Sequence, residues 1–249
     1  MILIRTHGGL GNQLFQMFFA LALADKTQDN DIKVFHHLRY KHRFELSPIF
    51  ERYKKEIGLD RHSVISSLRI PKVLTRMRLW SSGHIHVGSL YVLDDYFQDL
   101  RHYTCFTTKN LKSSMKTIKS LFADEPISKK DSLYHLRLKD FFRNESEEKS
   151  HLLERIRDMH NGSDIITNND GLFERLVDST LLERRSIRLI KTSHAKAEDI
   201  LRLMMNYRTI DSNGSTLALW AAVLSGAKLD SGNLELDAFI KYMKDNAVC

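Results

Sequence analysis

The chain opens MILIRTHGGLGNQLFQMFFALALADK, residues 1–26. Met1–Arg5 is a short apolar run, Gly8–Gly11 is a glycine-rich turn, and Asn12–Lys26 is apolar and rich in strong helix formers. That order predicts strand, tight loop, helix. Three glycines let backbone approach a ligand closely, because no Cβ stands in the way. The helix behind them turns N–H groups and its positive dipole end towards the loop. The loop is neither a dinucleotide fingerprint nor a P-loop. GxGxxG beginning at Gly9 would need glycine where Leu14 stands, and no Gly-Lys-Ser/Thr follows. A plain structural strand–helix turn fits the spacing equally well.

Working outward, Ile32–His36 predicts a second strand. Leu38–Arg78 is basic and mixed, carries Pro48 and Pro71, and reads as short helices and loops. His86–Leu93 predicts one further strand, and Asn110–Ala123 a helix with a basic face. Pro126 lies in a polar stretch and is the expected domain boundary, giving lobes 1–125 and 126–249. Beyond it, strands are expected at Asp131–Leu138, Asp164–Thr167, Ser186–Lys191 and Thr209–Ser212. Helices are expected at Glu145–His160, from Gly171 to Ser179, and at Ala195–Tyr207, Thr216–Leu224 and Glu235–Lys244. Strand alternating with helix predicts an α/β chain with a parallel sheet.

The 249 residues are 42% hydrophobic and 28% charged, an ordinary balance for a globular protein, so disorder as the main state is excluded. With 38 basic against 31 acidic residues the net charge is +7, which favours anionic partners such as nucleotide-sugars or an acidic membrane face. The basic residues are spread, with no block of like charge, so no nucleic-acid partner is expected. The cysteines are Cys105 and Cys249, which form neither a disulfide framework nor a zinc site. The apolar start is too short for a signal peptide, and Leu14–Ala24 is too short to cross a bilayer of about 30 Å. The expectation is a cytoplasmic protein.

Two further loops follow predicted strands, where open α/β sheets bind ligands. In His135-Leu136-Arg137-Leu138-Lys139-Asp140, period-two alternation puts His135 and Arg137 on one side. Arg137 can offer a phosphate a bidentate fork. An exposed strand end with an Arg137–Asp140 ion pair is the bland alternative. In Asp211-Ser212-Asn213-Gly214-Ser215-Thr216, Ser215 or Thr216 is either a helix N-cap or part of a phosphate cradle. Tyr91, Tyr96 and Phe97 could stack on sugars or simply pack.

Together these stretches resemble the glycosyltransferase family 11 α-1,2-fucosyltransferases, particularly the small bacterial ones. The resemblance lies in Gly8-Gly9-Leu10-Gly11-Asn12-Gln13-Leu14-Phe15-Gln16, in His135, Arg137 and Asp140 as His-x-Arg-x-x-Asp, and in Ser212-Asn213-Gly214-Ser215. Asp95-Tyr96-Phe97-Gln98 and Thr167-Asn168-Asn169-Asp170 are weaker echoes. The chain departs from the family pattern at Leu138 and Lys139 and around Ala218-Leu219, which bears on the exact sugar.

The resemblance implies an α/β, GT-B-like fold of two Rossmann-like lobes with a cleft between them. It implies an N-terminal acceptor lobe, a C-terminal donor lobe, and an inverting reaction needing no metal and no cofactor. The expected donor is GDP-L-fucose or a related GDP-deoxyhexose, with GDP-colitose or another GDP-sugar as the alternative. The expected acceptor is an oligosaccharide or lipid-linked saccharide in surface polysaccharide synthesis, and a peripheral contact with an anionic membrane is an open option. Arg137 is expected to clamp the β-phosphate, with Asn12 and the Gly9–Gly11 amides assisting. Ser215, Thr216 and Asn213 are expected to hold the donor, His135 to support Arg137, and Asp170 either to contact guanosine or to cap a helix. Asp95, His7 and Asp140 stand as alternatives for the base. A non-catalytic nucleotide- or saccharide-binding protein is the competing reading from another class.

Overall fold

The computed structural model describes residues 1–6, 8–29, 31–36, 63–65, 84–87, 90–93, 95, 97–122, 129–138 and 144–247. Two compact units result: Met1–Glu125 with Ala238–Cys249, and Pro126–Asp237. Each is α/β and built on its own five-stranded sheet.

In the first unit, β1 (Ile2–Thr6) leads through Gly8 and Gly9 into α1 (Leu10–Thr27), two residues earlier than the expected helix start. The remaining strands are β2 (Ile32–His36), β3 (Ser63–Ile65), β4 (His84–Val87) and β5 (Leu90–Leu93). They stand in the order β3-β2-β1-β5-β4, with β4 antiparallel to β5 and every other pair parallel. The single strand expected at His86–Leu93 is therefore the second half of a hairpin. Leu10–Ala24 of α1 is buried on all sides apart from Asn12. A helix apolar on every side but for Asn12, Gln13 and Gln16 belongs inside a core rather than on a surface. Phe19 stacks on Phe97 at 4.1 Å, and Phe15 meets Phe239 edge-on at 4.7 Å.

α2 (Thr108–Ser120) opens with a capping box between Thr107 and Asn110 and packs on α1. The Asn110 amide donates to Asp25 at 2.5 Å, which fixes the register of the two helices. Ala238–Cys249 was expected with the second lobe but groups with the first unit. The reason is apolar: Phe239 and Met243 are fully buried, and Phe239 lies 5.3 Å from Tyr103.

The second unit runs β6 (Lys130–Leu136), α3 (Glu145–Asp158), β7 (Asp164–Thr167), α4 (Asp170–Leu176), α5 (Ser179–Arg184), β8 (Arg188–Leu189), α6 (Ala197–Met205), β9 (Tyr207–Ser212), α7 (Thr216–Ser225) and β10 (Lys228–Asp230), before α8 (Leu234–Asn246) begins. The sheet order is β10-β9-β6-β7-β8 and every pair is parallel. Tyr134 and Leu136 pack into one apolar cluster with Leu152 and Ile156 of α3 and Leu172 and Phe173 of α4. Alternation sends Leu133 and His135 to the opposite face. β10 escaped sequence reading because Lys228–Asp230 is only three residues long, with Leu229 alone partly buried, too short to show alternation.

At the opening edge of this sheet, buried Asp164 accepts a bidentate pair from Arg188 at 2.9 and 2.8 Å and a bond from the Tyr207 hydroxyl at 2.5 Å. Burial pushes this carboxyl up, but the Arg188 and Tyr207 bonds outweigh it and hold it below the usual range. This cluster ties β7, β8 and β9 together at the edge away from the candidate site.

Candidate functional site

β6 is the first strand of the second unit, and the chain places β7 on one side of it and β9 on the other. In such a sheet the crevice outside the carboxyl ends of the two strands at the reversal, here β6 and β9, is the ligand position. The side chains there come from residues 135–137 and 212–216, with residues 167–170 adjoining. His135 sits opposite Ser212 in the ladder, and Leu136 opposite Thr167. The structure thus brings His135, Arg137, Asn213, Ser215, Thr216 and Asp170 to one sheet edge.

His135 is buried, and its Nδ1 has no hydrogen-bond partner among the described residues. Burial, and then the positive charge of Arg137, push its pKa down to about 4. The imidazole is therefore neutral near pH 7. Arg137, half-buried, is the first residue past the strand. Leu138 is in the same apolar cluster as Leu136, so Arg137 keeps to the His135 side of the sheet. The segment is clamped from β7. The Leu138 amide donates to Asn168 Oδ1 at 2.7 Å, and Asn168 Nδ2 donates back to the Leu138 carbonyl at 3.1 Å. A side-chain amide here continues the ladder where strand pairing has stopped.

The β9 exit is equally tied. The Gly214 amide donates to the Ser231 carbonyl at 2.7 Å, linking the ends of β9 and β10, and Gly214 has φ +66°. Ser215 is buried and caps α7, accepting from the Ala218 amide at 3.3 Å. Its oxygen is thus engaged as a cap, and what it can offer a ligand is its hydroxyl proton. Asn213 Oδ1 is buried and lacks a partner among the described residues. Thr216 follows as the first residue of α7 and is half-buried.

Asp170 is not the helix cap; Asn169 is, accepting from the Leu172 amide at 3.0 Å. Asp170 is buried, and its Oδ2 accepts the Thr192 and Ser193 amides at 2.7 and 2.8 Å. Its Oδ1 is buried without a partner among the described residues. Buried polar atoms are satisfied as a rule, and each exception asks for a reason, a bound ligand among them.

The first unit carries its own loop. Gly8 has φ 77°, a conformation that favours glycine, and Gly9 is the N-cap of α1. Gly11 lies inside the helix rather than in the loop. The Asn12 and Gln13 amides donate to the Gly9 carbonyl at 3.0 and 3.1 Å, so the backbone donors this loop can offer a ligand lie before Asn12. Buried Gln13 donates to the Gly8 carbonyl at 2.8 Å and holds the turn. Asn12 Oδ1 accepts from Gln98 Nε2 at 2.9 Å, which orients the Asn12 amide. Asp95 lies 3.8 Å from His102 Nε2. Phe97 is fully buried, with φ 53° and its carbonyl taken by the Tyr103 hydroxyl at 2.7 Å. It is core and cannot stack on a sugar. Of the expected site residues, His7 and Asp140 lie outside the described residues, as do Lys139 and Tyr96.

No family model matches the chain, and no curated protein matches it in sequence. Among solved structures it is similar to the fucosyltransferase NodZ from Bradyrhizobium, at 12% identity and TM-score 0.43, covering 90% of this chain and 91% of that one. It is also similar to the E. coli heptosyltransferase WaaC with ADP, at 12% identity and TM-score 0.44, covering 98% and 97%.

Among the described residues no group of three or more His, Cys, Asp or Glu is placed to hold a metal ion. No described helix is long and apolar enough to cross a membrane. Asn168, Gln98 and Gln13 are the residues sequence reading passed over. Each lies in a stretch already singled out, but the Asn168 and Gln98 partners are 30 and 86 residues away in the chain. Spacing along the sequence carries no signal for such bonds.

Proposed function

We propose that this chain is an inverting glycosyltransferase that moves L-fucose, or a related deoxyhexose such as colitose, from a GDP-sugar to a saccharide hydroxyl without a metal. The observation that carries the reading is the β6/β9 edge of the second unit. There Arg137 shares a sheet edge with buried polar atoms of His135, Asn213 and Asp170 that have no partner among the described residues, in the position where a parallel sheet takes a phosphorylated ligand. Two of the sequence motifs, His135–Asp140 and Ser212–Thr216, begin on that edge.

The acceptor hydroxyl attacks the anomeric carbon as GDP departs, so positive charge grows on the sugar and negative charge on the β-phosphate. Arg137 meets that growing charge with its fork. The N-terminus of α7, with the Ser215 hydroxyl and Thr216, serves the remaining phosphate oxygens. Neutral His135, on the same side of the sheet as Arg137, brings no competing charge. The open Oδ1 of Asp170 is an acceptor suited to the amino donors of guanine, which adenine does not present in the same pattern. In the first unit, Asn12 is a substrate contact oriented by Gln98, and Asp95 is the described candidate for the base. The acceptor is an oligosaccharide or lipid-linked saccharide of surface polysaccharide synthesis.

The test is a thermal-shift screen of GDP, UDP, ADP and CMP, followed by transfer assays with GDP-fucose and GDP-colitose. GDP alone is expected to stabilise the chain, by about 2.7 kcal/mol at roughly 100 times Kd. Equal response to all four nucleotides would remove the GDP assignment, and GDP binding without transfer or donor hydrolysis would remove the enzyme.

A further inference from the structure

The helix α2 (Thr108–Ser120) has no part in the reaction above, yet it has two sharply different faces. Leu111, Met115 and Ile118 are buried, with Asn110 and Ser114 beside them. On the other side Lys109, Lys112 and Lys116 are exposed and Lys119 is half-exposed. At 3.6 residues per turn these lysines fall within an arc of about 80° and span about 15 Å of helix. The helix contains no Asp or Glu. None of the four lysines is in an ion pair among the described residues. Asp25, the carboxylate against the helix, is taken up by Asn110. Lys26, 5.8 Å from the Phe106 ring centroid just before the helix, adds a cation at its N-terminal end. The capping box and the Asn110–Asp25 bond hold this face rigid.

A surface helix normally mixes charge signs, and like charges three and four residues apart repel. An acid-free row of lysines therefore costs the free protein some stability, and an anionic partner relieves it. We propose that the lysine face of α2 docks the protein onto a bilayer containing acidic phospholipids. The chemistry favours lipid headgroups over nucleic acid. The exposed positions of the helix are Thr108, Lys109, Lys112, Ser113 and Lys116, with no arginine fork to read a base edge and no aromatic ring to stack on one. Lysines on flexible stems between small polar residues suit a flat layer of headgroup charges. Such a contact would put the proposed transferase beside lipid-linked acceptors, although the docking itself does not depend on that activity.

The experiment is co-sedimentation of the full chain with vesicles of phosphatidylcholine alone and of phosphatidylcholine with about a third phosphatidylglycerol, at low and high salt. The parent protein should bind the anionic vesicles and release them at high salt. The triple variant Lys109→Gln/Lys112→Gln/Lys116→Gln should bind them about 100-fold more weakly, at about fivefold per lysine near an anionic surface. A charge-matched variant, Lys228→Gln/Lys241→Gln/Lys244→Gln, should keep most of the affinity. An unchanged thermal melt of both variants shows that they fold. The proposal is overturned if neutral and anionic vesicles bind alike, or if the two triple variants lose equally. It is also overturned if single-stranded RNA binds with loss in the α2 variant while lipid does not bind.

Discussion

Acidification should expose the buried histidine of the candidate site. The His135 pKa lies at about 4 in the folded chain, while an unfolded histidine titrates near 6.5. The unfolded state therefore takes up the proton first as pH falls. The stability held at neutral pH is lost between about pH 6.5 and pH 4. Linkage over that gap gives a loss of about 2 kcal/mol between about pH 7 and pH 5, and about 3.4 kcal/mol at the limit. The assay is denaturant unfolding at three pH values, comparing the parent with His135→Asn. The parent's midpoint should fall more steeply with acid, and the variant should lack about 2 kcal/mol of that slope. Part of the depression comes from Arg137, so Arg137→Gln should raise the His135 pKa, as followed by NMR titration. Parallel stability curves for parent and His135→Asn would show that His135 is not the buried neutral group, because a solvated imidazole would titrate alike folded and unfolded.

Other outcomes follow from the same geometry. Arg137→Ala should lower kcat by about 30- to 1000-fold, equivalent to about 2–4 kcal/mol of transition-state stabilisation, and Arg137→Lys should restore little because it lacks the fork. Asn168→Ala removes both bonds to the Leu138 backbone and should cut kcat/KM about tenfold while leaving the melting temperature within a few degrees. Phe97→Ala should destabilise the chain by about 3–5 kcal/mol in denaturant unfolding, since the ring is fully buried and stacked on Phe19.

The fold was readable wherever period and punctuation were strong. The strand–glycine–helix opening and the alternating second half needed only apolar runs broken by Gly, Asn and Ser. Ser186–Lys191 promised a strand of six residues, but only Arg188–Leu189 pairs with β7. Pairing is decided by the neighbour strand, which local sequence does not contain. Asp170 illustrates the same boundary at the site. Its position predicted either a cap or a base contact, yet its Oδ2 is spent on the Thr192 and Ser193 amides, a bond to a loop 22 and 23 residues away. Phe97 stayed open between sugar stacking and packing because the burial that decides its role is supplied by α1. Ser215 read correctly as a possible cap, because capping is local: one hydroxyl and an amide three residues on.

In the proposed function, the β6/β9 edge holds a guanosine diphosphate through Arg137. Isothermal titration of GDP into the parent and into Arg137→Ala tests it most directly. The parent should bind GDP measurably and the variant at least about tenfold more weakly, as for the loss of a charged hydrogen-bonding group. Equal affinity in the two proteins, or no GDP binding by either folded protein, would contradict it.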